Sequence, residues 1–264
     1  MIHLVVDVGN TESVVGAFEP GALEPFAVWR YSTVVPRTAD ELQLLYRSFL
    51  LDRGRSPEEI GRTTVGSVVP GSLDILTRCL ERLGEGDVYV LDGDDHLPVR
   101  LDVEEPRTVG ADRIANTLAV FELHREDTIV VDLGTATTYD CIGADGVFLG
   151  GVIAPGLASG QEWLAGRTAK LPHVESTAPD HVIGRRTETC LRSGLFYSAV
   201  DAVEGMVRRI REEWQNPGAR VIATGGYAQA IAPHLKALDA VAPYLTLVGL
   251  ELAGGYLAGE RTAD

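Results

Sequence analysis

Two stretches of the chain carry the same alternation of apolar and polar positions. Residues 4–11 read Leu-Val-Val-Asp-Val-Gly-Asn-Thr, and residues 129–135 read Ile-Val-Val-Asp-Leu-Gly-Thr. Each is a β-branched run ending in Asp, followed by a Gly-containing polar turn. A second apolar run follows each turn, Ser13 to Phe18 and Thr137 to Ile142. Apolar run, tight polar turn and apolar run predict a β-hairpin. The two copies begin about half a chain apart, so the pattern predicts a duplicated protein of two similar lobes. The boundary is expected near Asn116, giving lobes 1–116 and 117–264.

The rest of the pattern alternates helix and strand. Thr38-Ala-Asp-Glu41 has the form of a capping box, and behind it Leu42, Leu45, Tyr46, Phe49 and Leu50 recur at helical spacing. Ser56-Pro57-Glu58-Glu59 reads as a second helix start with proline at the first helical position. Thr63 to Val69 reads as a strand stopped by Pro70, and Val88 to Leu91 as another. In the second half, Ile114, Leu118 and Phe121 mark a helix, and Phe148 to Ile153 a strand ending at Pro155-Gly156. A long helix is expected after Thr187, with Leu191, Leu195, Ala199, Val203, Met206 and Ile210 facing inward. Val221 to Thr224 is a strand that runs into Gly225-Gly226. The fold class is α/β, two mixed sheets flanked by helices.

Charge and composition narrow the chemistry. The 264 residues carry a formal net charge of −15, which argues against nucleic acid, whose phosphates are held by clustered Lys and Arg. No run of about 18 apolar residues predicts a membrane span. The start, Met1-Ile-His-Leu-Val-Val-Asp7, reads as a strand and lacks the shape of a signal peptide. Cys79, Cys141 and Cys190 are far apart and unpaired in motif, as in a reduced cytoplasmic protein.

No P-loop or G-x-G-x-x-G signature is present. The two Asp-x-Gly turns offer another phosphate grip. Gly9 lets the backbone approach a ligand, and the N–H groups around Asn10 and Thr11, with the Thr11 hydroxyl, can donate to phosphate oxygens. Asp7 would repel a phosphate directly, so it would act through Mg²⁺ or its water shell. Asp132-Leu-Gly-Thr-Ala-Thr-Thr138 repeats the kit. Two such tips facing each other would grip a polyphosphate. Either Asp alone could equally cap a turn, and Thr224-Gly225-Gly226 could be a plain strand-to-helix turn or a surface for a flat base.

This set resembles the actin-like ATPase and sugar-kinase superfamily, with its ribonuclease H-like lobes. Val109-Gly110-Ala111-Asp112-Arg113, Gly150-Gly-Val-Ile-Ala-Pro-Gly156, Thr168-Ala-Lys-Leu-Pro172 and Ile183-Gly-Arg-Arg-Thr187 narrow the likeness to type III pantothenate kinases along nearly the whole chain. That resemblance implies phosphorylation of pantothenate by ATP, the first step of coenzyme A synthesis, with Mg²⁺, a monovalent cation (K⁺ or NH₄⁺) and a homodimer. It implies Asp112 as general base, and Gly110, Ala111, Asp112, Arg113 and Thr187 as the pantothenate site. It implies Asp7, Val8, Gly9, Asn10, Thr11, Glu12, Ser13, Val14 and Thr135 around ATP, joined by Gly225 and Gly226, and Asp132 on the monovalent cation.

Departures gather around the acceptor pocket. The family's Thr-Gly loop is absent from residues 91–106, and Leu101 stands where a Tyr is expected. Val34 replaces an expected Asp, and Ser198 and Asp201 occupy small Gly positions of the long helix. His96 reads as an exposed loop residue or a replacement polar contact. A kinase for another small alcohol, or a catalytically weak nucleotide-binding regulatory relative, stay open beside the pantothenate reading.

Overall fold

The computed structural model describes residues 1–93, 95–168 and 171–262. Asp94 of the 91–106 segment and Ala169-Lys170 of the Thr168–Pro172 motif lie outside the described residues. The strands are β1 (Ile2–Val8), β2 (Glu12–Phe18), β3 (Ala27–Ser32), β4 (Ile60–Ser67), β5 (Asp87–Leu91), β6 (Arg100–Leu101), β7 (Thr128–Leu133), β8 (Ala136–Ile142), β9 (Val147–Pro155), β10 (Arg220–Thr224) and β11 (Ala240–Val241). The α-helices are α1 (Ala39–Asp52), α2 (Pro70–Leu80), α3 (Ala111–Leu123), α4 (Leu157–Arg167), α5 (Thr187–Glu213), α6 (Ala228–Ile231) and α7 (Leu245–Leu257). They form two compact units. One comprises Met1–Leu123, Gly146–Phe148 and Tyr244–Asp264; the other comprises His124–Asp145 and Leu149–Pro243. The break expected near Asn116 falls inside α3, which stays whole in the first unit, where α7 from the end of the chain joins it.

The first unit is built on a sheet of order β3-β2-β1-β4-β5. β1 pairs antiparallel with β2, with Asp7 opposite Val14, and parallel with β4, with Asp7 beside Gly66. Period-two alternation sends Ile2, Leu4, Val6 and Val8 to one face, where they pack with Leu42, Tyr46 and Leu50 of α1 and Leu76 of α2. Val5 lies on the other face with Ile114, Ala115 and Leu118 of α3 and Leu247 and Leu250 of α7. The helix expected from Thr38 forms as drawn: Glu41 N–H donates to Thr38 Oγ1 (3.3 Å) and Thr38 N–H to Glu41 Oε2 (2.7 Å). At the far end of β1 the buried Arg62 donates to Glu251 Oε1 (2.7 Å), so a buried cation meets a buried carboxylate.

Two expectations change here. The helix start at Ser56 stops after one 3₁₀ turn, Pro57–Glu59, because the β-branched run that follows is taken into β4 beside β1. Pro70 ends no strand: β4 stops at Ser67, and Pro70 is the first residue of α2, a position that needs no N–H.

In the second unit β7 pairs antiparallel with β8 and parallel with β10, which pairs parallel with β11. The long helix α5 spans Thr187–Glu213 as expected, but its buried seam is Phe196, Val200, Val203 and Val207. Leu195, Ala199, Met206 and Ile210 border that seam half-buried, so apart from Val203 the expected stripe is its shoulder. Both sets repeat at i, i+3 and i+4, and only the packing partner chooses between them. Among the described residues no helix is long and apolar enough to cross a membrane.

Candidate active site

Both predicted hairpins form, and each ends in a polar tip. At the first, Gly9 N–H donates to Glu12 O (3.1 Å) and closes the turn. Asn10, Thr11 and Glu12 are exposed, whereas Val8 and Ser13 are buried. Ser13 Oγ lies 2.8 Å from Thr33 Oγ1, and Thr33 N–H donates to Thr11 O (3.0 Å), so Ser13 fixes the tip from behind. The Glu12 carboxylate pairs with Arg30 Nε at 3.1 Å in the open, an ion pair of small energetic weight. Asp7 and Val14, paired across the ladder, are half-buried. The exposed residues of the tip are therefore Asn10, Thr11 and Glu12.

The Val109–Arg113 motif sits in the same unit. Gly110 precedes α3, Ala111 is buried in the helix's first turn, and Asp112 follows there, where a carboxylate suits the positive end of the helix dipole. Arg113 N–H donates to Asp112 Oδ1 at 2.8 Å. The carboxylate folds back over Gly110: a methyl there would overlap Asp112 Oδ1 and come 3.1 Å from Val68 Cγ1, so a larger residue would push the carboxylate out of this place. Val68 N–H in turn donates to Val8 O (3.1 Å) at the end of β1. Val68 thus joins the base of the first tip to the turn that carries Asp112. Burial pushes the Asp112 carboxyl up from its ordinary value, and the hydrogen bond and charge of Arg113 pull partly against that rise. The Arg113 guanidinium lies over the Phe148 ring, 4.9 Å from its centroid.

In the second unit Asp132, near the end of β7, stands between Thr138 of β8 and Thr224 of β10 in the ladder. Thr135 is exposed, and its carbonyl accepts from Gly156 N–H (3.1 Å) and Ser159 Oγ (2.6 Å), which ties the tip to the start of α4. Gly225 has φ +89°, and a methyl on it would overlap Asp132 Oδ1. Gly226 is exposed, with open space where a side chain would be. Thr187 is the exposed first residue of α5, and the backbone N–H groups of Arg185 and Arg186 donate to Thr189 Oγ1, 3.1 Å each.

The donor chemistry fits the expected ions. Asp7 offers one carboxylate, the kind of hard oxygen donor that Mg²⁺ takes alongside water and phosphate oxygens. Asp132 supplies a carboxylate and is paired in the ladder with Thr138 and Thr224, whose hydroxyls are hard donors of the kind a monovalent cation takes. Sequence reasoning missed Val68, Ser159 and Phe148, because each acts on residues distant in the chain and none stands in a chemical motif.

The duplicated Asp-x-Gly hairpin and the two mixed sheets flanked by helices are those of the actin-like ATPase fold, and a half-buried Asp opens a helix in the first unit. The family model for type III pantothenate kinase matches residues 3–209, and the chain belongs to that family. Solved structures share the fold at low identity. A conserved protein from Campylobacter jejuni, described as a Baf family transcriptional activator, is 17% identical with a TM-score of 0.60, over 98% of this chain and 100% of that one. The ethanolamine utilization protein EutJ from Carboxydothermus hydrogenoformans is 15% identical with a TM-score of 0.55, over 96% and 90%. A ROK family glucokinase from Streptomyces griseus, solved with glucose and AMPPNP, is 11% identical with a TM-score of 0.51, over 97% and 99%.

Proposed function

We propose that this kinase is cytoplasmic and transfers the γ-phosphoryl group of ATP to the primary hydroxyl of pantothenate, giving 4'-phosphopantothenate for coenzyme A synthesis. The observation that carries this reading is the seat of Asp112, a half-buried carboxylate in the first turn of α3 whose turn is joined through Val68 to the first hairpin tip. Phosphoryl transfer needs positioning, charge stabilisation and an acceptor for the alcohol proton. Asp112 takes that proton from the hydroxyl oxygen, and its raised pKa makes it a stronger base than an ordinary Asp. Gly110, Ala111 and Arg113 hold the acceptor with Asp112, and Thr187 adds a hydroxyl. Asn10, Thr11 and the backbone of Asp7–Val14 bind phosphates; Thr135, Gly225 and Gly226 serve the rest of the nucleotide. Bound Mg²⁺, reached from Asp7 through water, would neutralise phosphate charge. A homodimer belongs to the same reading, carried over from the family resemblance.

The acceptor is tested by comparing kcat/KM for pantothenate with that for other small primary alcohols. Pantothenate is expected to lead, and a better alcohol would replace it in this reading. If Asp132 holds a monovalent cation, the rate rises at least about tenfold when K⁺ or NH₄⁺ replaces Na⁺, the range expected when charge stabilisation of a transferring phosphoryl group is lost. Equal rates in the three salts would remove the cation from Asp132.

A further inference from the structure

We propose that Phe148 is a positioning residue for acceptor binding, its ring holding the Arg113 guanidinium while its backbone anchors the diverged 91–106 segment. This rests on the reading that Arg113 contacts the acceptor. The guanidinium is 4.9 Å from the ring centroid, within the range where the ring's quadrupole attracts a cation. Phe148 is 1% exposed, so water does not compete for that face. Arg113 is a long side chain with several rotatable bonds, and a guanidinium laid on a fixed aromatic face gives up that freedom before the ligand arrives.

The same residue holds the loop. β6 is two residues long, and its register sets Leu101 beside Phe148. Asp102 N–H donates to Phe148 O (2.9 Å), and Arg100 N–H donates to Gly146 O (3.0 Å). Leu101, set beside Phe148, is apolar, so among these neighbours the polar group that can orient an acceptor is the Arg113 guanidinium on the ring. Side chain and backbone are separable: a substitution at 148 removes the ring and leaves both backbone bonds in place.

The test is a cycle of Phe148→Leu, Arg113→Met and the double variant, with KM for pantothenate, KM for ATP and kcat measured for each. Phe148→Leu is expected to raise KM for pantothenate by about 3–30-fold, the range of a desolvated cation–ring contact, with KM for ATP unchanged. In the Arg113→Met background the same change should add less than about twofold, because the coupling partner is gone. Phe148→Tyr, which keeps the ring, should hold KM near the parent value. A merely structural Phe148 would give equal losses in both backgrounds and move both KM values together, which overturns the inference. If Arg113→Met leaves KM for pantothenate unchanged, the acceptor reading of Arg113 itself fails. If Arg113→Met raises it and Phe148→Leu does not, only the role of Phe148 fails. Should Phe148→Leu not fold, Phe148→Met tests the same loss with a closer fill of the core.

Discussion

Asp112→Asn lowers kcat by about 10²–10⁴-fold, the usual contribution of a positioned general base, and leaves ATP binding intact. The amide keeps the oxygen that accepts from Arg113 N–H, so the helix start and its Gly110 contact are preserved. What is lost is the lone pair that takes the alcohol proton. The variant also changes stability in a direction that a structural acid would not. Burial raises the folded-state pKa of Asp112 above its unfolded value, so the folded chain binds the extra proton more tightly. Between those two values stability therefore falls as pH rises, and above the folded value the ionised carboxylate is a standing cost. Asparagine carries no such charge, so at neutral pH its thermal midpoint should match or exceed the parent's. The acid limb of the parent's kcat profile should lie above the ordinary Asp range, because the base must be ionised to act. Near-normal turnover in Asp112→Asn, titrated with substrates and followed by a thermal melt, would remove Asp112 from catalysis.

Gly225→Ala should damage both stability and ATP use. At φ +89° an L side chain is strained, at about 1–3 kcal/mol. The added methyl also overlaps Asp132 Oδ1 and comes 2.7 Å from Leu133 N, so the end of β7 must shift to admit it. Overpacking of a close backbone contact costs about a further 1–3 kcal/mol. The expected outcome is a lower unfolding midpoint, a KM for ATP raised about tenfold or more at the strand end that carries Asp132, and weaker activation by K⁺. Gly226→Ala, where no atom is close, serves as the contrast and should unfold near the parent midpoint. Equal stability of the Gly225 variant and the parent would contradict the close approach.

The features that could be read from the chain are those fixed by neighbours in sequence. A hairpin announces itself through a turn and two apolar runs, and both copies fold as such. The Thr38–Glu41 box is a four-residue event. The Gly110–Arg113 motif was read from resemblance, and the structure adds that the Asp112 carboxylate folds over Gly110 and that burial raises its pKa. Distance in sequence hid the rest. Helix α7 is apolar nearly all round, from Leu245 to Gly255, so it has no polar face to give a period. Its return to α3 is settled by Gly249, which packs against the Ala115 backbone. The phase of α5 failed for the opposite reason, since two adjacent stripes were both apolar. Phe148 looked like one more strand residue, and only the fold sets its ring under Arg113.

The central claim is that pantothenate accepts the phosphoryl group in a site built on Asp112. The most direct test is coupled ADP release with MgATP and K⁺, with and without pantothenate. The account predicts ADP formation that rises hyperbolically with pantothenate and matches the 4'-phosphopantothenate formed. ATP binding with no pantothenate-dependent ADP would contradict it, and would move the fold's nucleotide site to another acceptor or to a regulatory role.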